Sequence, residues 1–119
     1  MITVGIRGAI TVEENTNECI FASTKELISA IMDQNGIKEA DIASIIFTAT
    51  PDLDAAFPAA AVREMGLNEA ALLDAVEMNV KDSMPRVIRV LMHINAEKGF
   101  KPKHIYLKDA VKLRSDLCS

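Results

Sequence analysis

Two arginines on predicted strands are the residues of this sequence best suited to chemistry. Arg89 lies between Val87 and Leu91 on one strand face, and Arg7 repeats the pattern between a glycine and an alanine. A guanidinium keeps its proton and can bind a carboxylate through two parallel hydrogen bonds. The pair therefore suits a small anionic ligand, although each side chain can equally be a strand charge that reaches solvent past apolar neighbours.

Charge is distributed unevenly along the chain. Only 4 of the 13 basic residues lie in residues 1–80, which hold 13 of the 17 acidic ones. The net charge of −4 and the scarcity of aromatic residues for base stacking argue against a nucleic-acid partner. We expect most of these lysines to be solvated, but an acidic protein can still concentrate positive potential in a local cleft.

The cysteines and histidines are not spaced as metal ligands. Cys19 and Cys118 lie near opposite ends of the chain, and neither has a ligand spacing to His93 or His104. We therefore expect no metal, no cofactor and reduced thiols in a cytoplasmic protein. The sequence has no apolar run of about 18 residues and no basic segment before an apolar one at its N-terminus, so we expect neither a membrane span nor a targeting segment.

Hydrophobic periodicity predicts one domain over residues 1–119. Strand-like alternation is clearest near Arg7 and Arg89, and the best helical stripe begins after the capping residue Thr16 and ends at Gly36. The predicted strands are residues 2–12, 43–50, 72–78, 86–95 and 104–107, and the predicted helices are residues 16–35 and 59–65. This β-α-β-α-β-β-β order predicts an α/β (α+β) fold with a mixed five-stranded sheet and helices on one face.

Six segments carry a further signal in their order and spacing. They are Gly5–Ala9, Thr48–Leu53, Phe57–Ala59, Ala61–Glu64, Ile88–Val90 and the run from Tyr106 to Arg114. Any one of them can occur by chance, but together they resemble the trimeric α/β chorismate mutases, the type first met in Bacillus. The resemblance implies a homotrimer whose sheets form a pseudo α/β barrel, with three active sites in clefts between subunits.

The same resemblance implies a reaction. Chorismate mutases rearrange chorismate to prephenate within one molecule, a step towards phenylalanine and tyrosine, without nucleophile, metal, cofactor or general acid or base. By resemblance Arg89 contacts the ether oxygen and a carboxylate, Arg7 grips a carboxylate, and Glu77 accepts a hydrogen bond from the substrate hydroxyl. Asp74, where the Bacillus-type enzyme has cysteine, is expected to make a second hydroxyl contact, and Tyr106 to bind a carboxylate.

Further residues resemble those that border the cleft. By resemblance Phe57 and Leu73 are apolar walls against the substrate ring, while Arg63, Leu113 and Arg114 edge the cleft and draw in the dianion. An ion pair on the helix surface is the competing interpretation of Arg63. Asp74 and Glu77 have opposite parity on one predicted strand, so either a bulge intervenes or the two serve different clefts.

The sequence also departs from the Bacillus-type pattern. Ala60 replaces a lysine, so one binding cation is missing, and the connector 79–85 lacks a Gly-Gly pair. We expect any C-terminal lid to be shorter than in longer relatives. A Rid-type trimeric imine deaminase and a non-catalytic effector-binding trimer remain as alternatives, the first because it would also explain Arg89 and the second because of the missing lysine.

Overall fold

The structure, a computed structural model, describes residues 1–114 and follows the predicted order of elements. Two short 3-10 helices, Glu39–Asp41 and Lys108–Arg114, were not predicted. The other boundaries lie within two residues of the predicted ones. The strands are β1 (Ile2–Thr11), β2 (Ile42–Ala49), β3 (Ala71–Val76), β4 (Val87–Ala96) and β5 (Ile105–Leu107), and the helices are α1 (Asn17–Asn35) and α2 (Pro58–Glu64).

Helix α1 has the start and stop that its sequence predicts. The Thr16 hydroxyl accepts a hydrogen bond from the backbone N–H of Cys19 at 3.1 Å, which satisfies one of the free donors of the first turn. Gly36 ends the helix with φ of 62°, a left-handed conformation that only glycine adopts without strain. The buried stripe includes Ser23 and Thr24 besides the predicted aliphatic residues, and the Thr24 hydroxyl donates to the carbonyl of Ile20.

The five strands form one mixed sheet in the order β3-β2-β4-β1-β5. Strand β4 is central and antiparallel to both β1 and β2, whereas β1 pairs with β5 and β2 pairs with β3 in parallel. The pairing of β1 with β4 is regular from Ile2–Ala96 to Thr11–Val87. Because the register does not slip, alternate residues of both strands keep to the same faces along their whole length.

One face of the sheet packs against both helices. Its side chains join those of α1 and α2 in an aliphatic core that contains Ile6, Ile10, Ile45, Phe47, Ile88, Met92 and Ile94. Helix α1 lies close to β1, since a Cβ atom at Gly8 would stand 2.8 Å from the Cδ1 atom of Ile31. A larger residue at position 8 would require the Ile31 side chain to move.

The opposite face, here called the open face, has no α-helix on it in the described part of the chain. It comprises Gly5, Arg7, Ala9, Ser44, Ile46, Thr48, Leu73, Ala75, Val87, Arg89, Leu91 and His93. The 3-10 helix Lys108–Arg114 covers one corner, where Ala110 packs against Ala9 and Val87. No helix of residues 1–114 is long and apolar enough to cross a membrane.

Candidate active site

A salt bridge joins Arg89 and Glu77 on the open face. The Nε atom of Arg89 donates to Oε1 of Glu77 at 2.6 Å. Glu77 lies one residue beyond β3, and its backbone N–H donates to the carbonyl of Ala49 at 2.9 Å, which continues the pairing of β3 with β2. The Glu77 side chain is only 12% exposed, against 40% for Arg89, so the arginine remains accessible while the carboxylate is largely shielded and paired.

Arg7 and Tyr106 share the face with this salt bridge. In the sheet register Ala9 stands between Arg89 on β4 and Tyr106 on β5, and Arg7 lies two residues before Ala9 on the same face. The backbone N–H of Arg7 donates to Nδ1 of His104 at 3.0 Å, and the Arg7 side chain is exposed. The open face therefore presents two guanidinium groups and one phenol, which are suitable donors for carboxylates.

Asp74 faces the other side of β3. It pairs in register with the core residue Phe47, and its Oδ1 atom accepts from the backbone N–H of Ala59 at 3.0 Å. Phe57, the N-cap of α2, provides no side-chain cap, so a carboxylate from the sheet satisfies a donor of the first helical turn. Burial raises the pKa of the Asp74 carboxyl, while the Ala59 hydrogen bond and the charge of Arg63 act in the opposite direction.

A cleft of about 490 Å³ lies beside Asp74. We call it the Phe57 cleft, because the ring of Phe57 is 68% exposed at its edge. Its lining is largely apolar and includes Leu53, Ala56, Phe57, Pro58, Asp74 and Val76. The cleft thus combines an apolar wall with one carboxylate.

The structure divides the predicted site residues into two groups. Arg7, Leu73, Glu77, Arg89 and Tyr106 belong to the open-face side, and Phe57 and Asp74 line the Phe57 cleft. Leu73 does not line that cleft. The pairing of β2 with β3 has no bulge, so the opposite parity of Asp74 and Glu77 sends the two carboxylates to opposite faces.

Three predicted residues lie at the edges of these groups. Arg63 is exposed on α2 and forms no ion pair with the described residues, because its neighbour Glu64 bonds to Lys25 instead. Leu113 packs at the corner formed by Ala9, Val87 and Ala110. The side chain of Arg114 lies outside the described residues, as does Cys118.

The Thr50-Pro51-Asp52 segment has a structural role that sequence reasoning missed. The Thr50 hydroxyl donates to Asp52 and accepts from the backbone N–H of Val87 at 3.0 Å. Asp52 also accepts from the backbone N–H of Arg86, whose φ is 51°. These bonds fix the chain where β4 begins, two residues before Arg89. A threonine and an aspartate around a proline indicated a turn, but nothing local indicated which distant strand the turn would hold.

This fold and these side chains define a small α/β protein with two guanidinium groups and a phenol on one face of its sheet, and comparison with known proteins identifies the family. Residues 3–117 match the family described as chorismate mutase type I. The chain is 49% identical over 115 residues to the chorismate mutase AroH of Thermus thermophilus. The alignment covers 95% of this chain and 94% of the relative. It is 40% identical over 119 residues to the chorismate mutase AroH of Bacillus subtilis, and that alignment covers 98% of this chain and 94% of the relative.

A solved structure agrees with these relatives. The chorismate mutase of Clostridium thermocellum superposes with a TM-score of 0.87 at 49% identity, over 90% of this chain and 96% of that one. The chain belongs to the chorismate mutase type I family. It is an isomerase with chorismate mutase function, which decides against the Rid-type deaminase.

Proposed function

We propose that the protein rearranges chorismate to prephenate in clefts that two neighbouring chains complete, with Arg89 as the cation beside the ether oxygen. The proposal rests on the hydrogen bonding and exposure of the Arg89 side chain. Glu77 holds its Nε atom, while its terminal nitrogens make no hydrogen bond to the described residues and the side chain remains 40% exposed. A guanidinium fixed at one edge and free at the other is prepared to receive an anion.

The rearrangement requires one cation beside the ether oxygen and a substrate held in a folded conformation. As the bond from the ether oxygen to the ring lengthens, that oxygen gains negative charge, which a fixed donor in a dry site stabilises by roughly 3 to 4 kcal/mol. In this proposal Arg7 and Tyr106 bind the substrate carboxylates and hold the reacting ends together, which removes much of the entropic barrier. Glu77 accepts a hydrogen bond from the substrate hydroxyl with Oε2, the oxygen atom that Arg89 leaves free.

Assembly into a homotrimer is part of the proposal. Asp74 and Glu77 occupy opposite faces of the sheet, so a cleft that uses both groups is built most simply from two chains. Large apolar side chains are exposed along the edge strand β3 and the segment after it, namely Leu73, Val76, Met78 and Val80. Exposed apolar surface of this extent is typical of an interface, and closed symmetry is the usual outcome in homo-oligomers.

The remaining residues complete the proposed cleft. Phe57 of one chain and Leu73 of the chain that supplies Arg89 form the walls against the substrate ring, and Asp74, from the same chain as Phe57, contacts the hydroxyl with its second oxygen atom. Arg63, Leu113 and Arg114 border the entrance, and the two arginines attract the dianion. We propose that residues 1–119 act as one domain without a cofactor, and that the protein is cytoplasmic, where the free thiol of Cys19 would stay reduced.

Mixing the purified protein with chorismate tests the proposal. We expect the ultraviolet absorbance of chorismate to fall, with prephenate as the product by NMR, and no requirement for added metal or cofactor. The matched control is the Arg89→Ala variant at equal concentration. Chorismate that persists with the folded wild-type protein would favour the non-catalytic effector-binding trimer, and binding without turnover would then be measured by calorimetry.

A further inference from the structure

The hydroxyl of Thr48 is buried without a partner. Within residues 1–114, its Oγ1 atom is the one shielded side-chain oxygen or nitrogen that has no hydrogen bond. Most buried hydroxyls in proteins are paired, because an unpaired one loses its bonds to water and receives nothing in exchange. A lone example beside a proposed active site therefore calls for a ligand or a neighbour that completes it.

Arg89 is the neighbour. Thr48 on β2 pairs directly with Arg89 on β4, and both side chains belong to the open face. Arg89 reaches Glu77, which follows β3, so the arginine must cross β2 on the way, and Thr48 is the β2 residue directly beside it. The hydroxyl is hidden from solvent on the face that the arginine crosses.

The two groups complement each other chemically. Arg89 has N–H donors that are unused among the described residues, and a hydroxyl oxygen has two acceptor positions. A substrate lying on the open face cannot reach an oxygen that is shielded from solvent, so this hydroxyl acts on the reaction through the arginine.

We propose that Thr48 is a positioning residue for Arg89, whose hydroxyl accepts a hydrogen bond from a terminal N–H of the guanidinium when the cleft is occupied. This inference rests on the proposed role of Arg89 in the rearrangement. Glu77 fixes the Nε edge of the guanidinium group, and Thr48 then fixes the height of that group above the sheet. The position of the cation matters most in the transition state, when the ether oxygen carries its charge, so loss of Thr48 acts on kcat more than on KM.

Two substitutions at Thr48 distinguish the effect of its hydroxyl group from the effect of its methyl group. Thr48→Val keeps the shape and removes the oxygen atom, and we expect kcat to fall about tenfold while KM changes less than about twofold. Thr48→Ser keeps the oxygen atom and should retain at least about half of the wild-type kcat. Thr3→Val on β1, which removes an exposed hydroxyl far from Arg89 in the register, is the matched control and should leave kcat unchanged.

Repeating the Thr48→Val substitution in an Arg89→Lys variant shows whether the effect of Thr48 on kcat depends on the guanidinium group of Arg89. In Arg89→Lys, which lacks the planar fork, adding Thr48→Val should change kcat by less than about twofold. An unchanged kcat in Thr48→Val, a tenfold fall that persists in the Arg89→Lys background, or a serine variant as slow as the valine one would each overturn the inference. Wild-type protein that leaves chorismate intact would instead overturn the proposed function itself, so the two failures are distinguishable.

Discussion

Glu77 bonds to Arg89 across an intervening strand, since β2 separates the strand that carries Arg89 from the strand that precedes Glu77. The partly buried carboxylate restrains a long, flexible side chain that would otherwise sample many rotamers in solvent. Restraint in advance lowers the entropy that the cation would lose on meeting its substrate. The pair is therefore better understood as preparation for binding than as a contribution to stability, because partly exposed ion pairs stabilise folds only weakly.

Arg89→Ala should lower kcat by at least about two orders of magnitude, the usual effect of removing one oxyanion donor. Arg89→Lys keeps the charge but loses the planar fork and moves the cation, so it should recover only part of the loss. Steady-state kinetics on protein whose mass and circular dichroism match the wild type provide the measurement. Lys101→Ala, which removes an exposed cation elsewhere, is the control. A folded Arg89→Ala variant with nearly normal kcat would shift the assignment to Arg7.

Ala60→Lys should lower KM with little change in kcat. Position 60 follows Ala59, which bonds to Asp74 beside the Phe57 cleft, so a lysine there would add a cation near the proposed entrance. A cation that attracts substrate and transition state equally changes binding without changing the chemical step. Ala22→Lys on the exposed side of α1 adds the same charge elsewhere and should leave KM unaltered. A large increase in kcat at constant KM would contradict this role for the position.

The stability of the Asp74→Asn variant relative to the wild type should increase as pH rises. Burial raises the pKa of the Asp74 carboxyl above its ordinary value of 3.8, which means that the folded protein holds this proton more tightly than the unfolded one. The contribution to stability is complete below 3.8 and is lost as pH rises through the folded-state pKa. Asparagine keeps an oxygen atom for the Ala59 N–H but does not titrate.

Calorimetric Tm values from about pH 3 to about pH 7 measure the effect. The Tm of the variant minus that of the wild type should increase across this range. Asp33→Asn on the exposed surface of α1 corrects for the loss of one negative charge. A difference that shrinks with rising pH would show that the carboxylate form of Asp74 is the one the fold favours.

Leu91→Asp should dissociate the proposed trimer. Leu91 is 37% exposed in the centre of the open face, between Arg7 and Ile46 in the sheet register. A carboxylate there is tolerated while the face meets water, but its desolvation would oppose burial against another chain. Sedimentation equilibrium should give about three times 13.0 kDa for the wild type and about 13.0 kDa for the variant. Ala22→Asp on α1 should remain trimeric, and a wild-type monomer would refute the shared cleft.

Much of the fold was predictable because local patterns and tertiary structure agree. Alternation along β1 and β4 placed Arg7 and Arg89 on the face opposite Ile6 and Ile88, and the regular antiparallel register preserves that division. Thr16 and Gly36 marked the two ends of α1 through backbone chemistry that depends on few distant contacts. The two 3-10 helices were missed, since segments this short carry too few residues to show a period.

The details of the site were less predictable, because they depend on distant pairs. Parity alone left open whether a bulge would bring Asp74 and Glu77 together, and only the pairing of β3 with β2 shows that they diverge. The bond from Ala59 to Asp74 joins residues 15 positions apart, and the salt bridge beside Thr48 joins side chains that follow or belong to the two strands on either side of β2. Sequence patterns report faces of elements, not which side chains meet across them.

The divergence of Asp74 and Glu77 has a genetic consequence. If each cleft joins the Phe57 side of one chain to the Arg89 side of another, two differently damaged copies of the gene can compensate for one another. A chain with Arg89→Ala would still offer an intact Phe57 cleft, and a chain damaged at Phe57 would still offer an intact arginine. In randomly mixed trimers about one cleft in four would combine two undamaged halves. A cell with both alleles would then make prephenate, whereas a cell with either allele alone would require phenylalanine and tyrosine from outside.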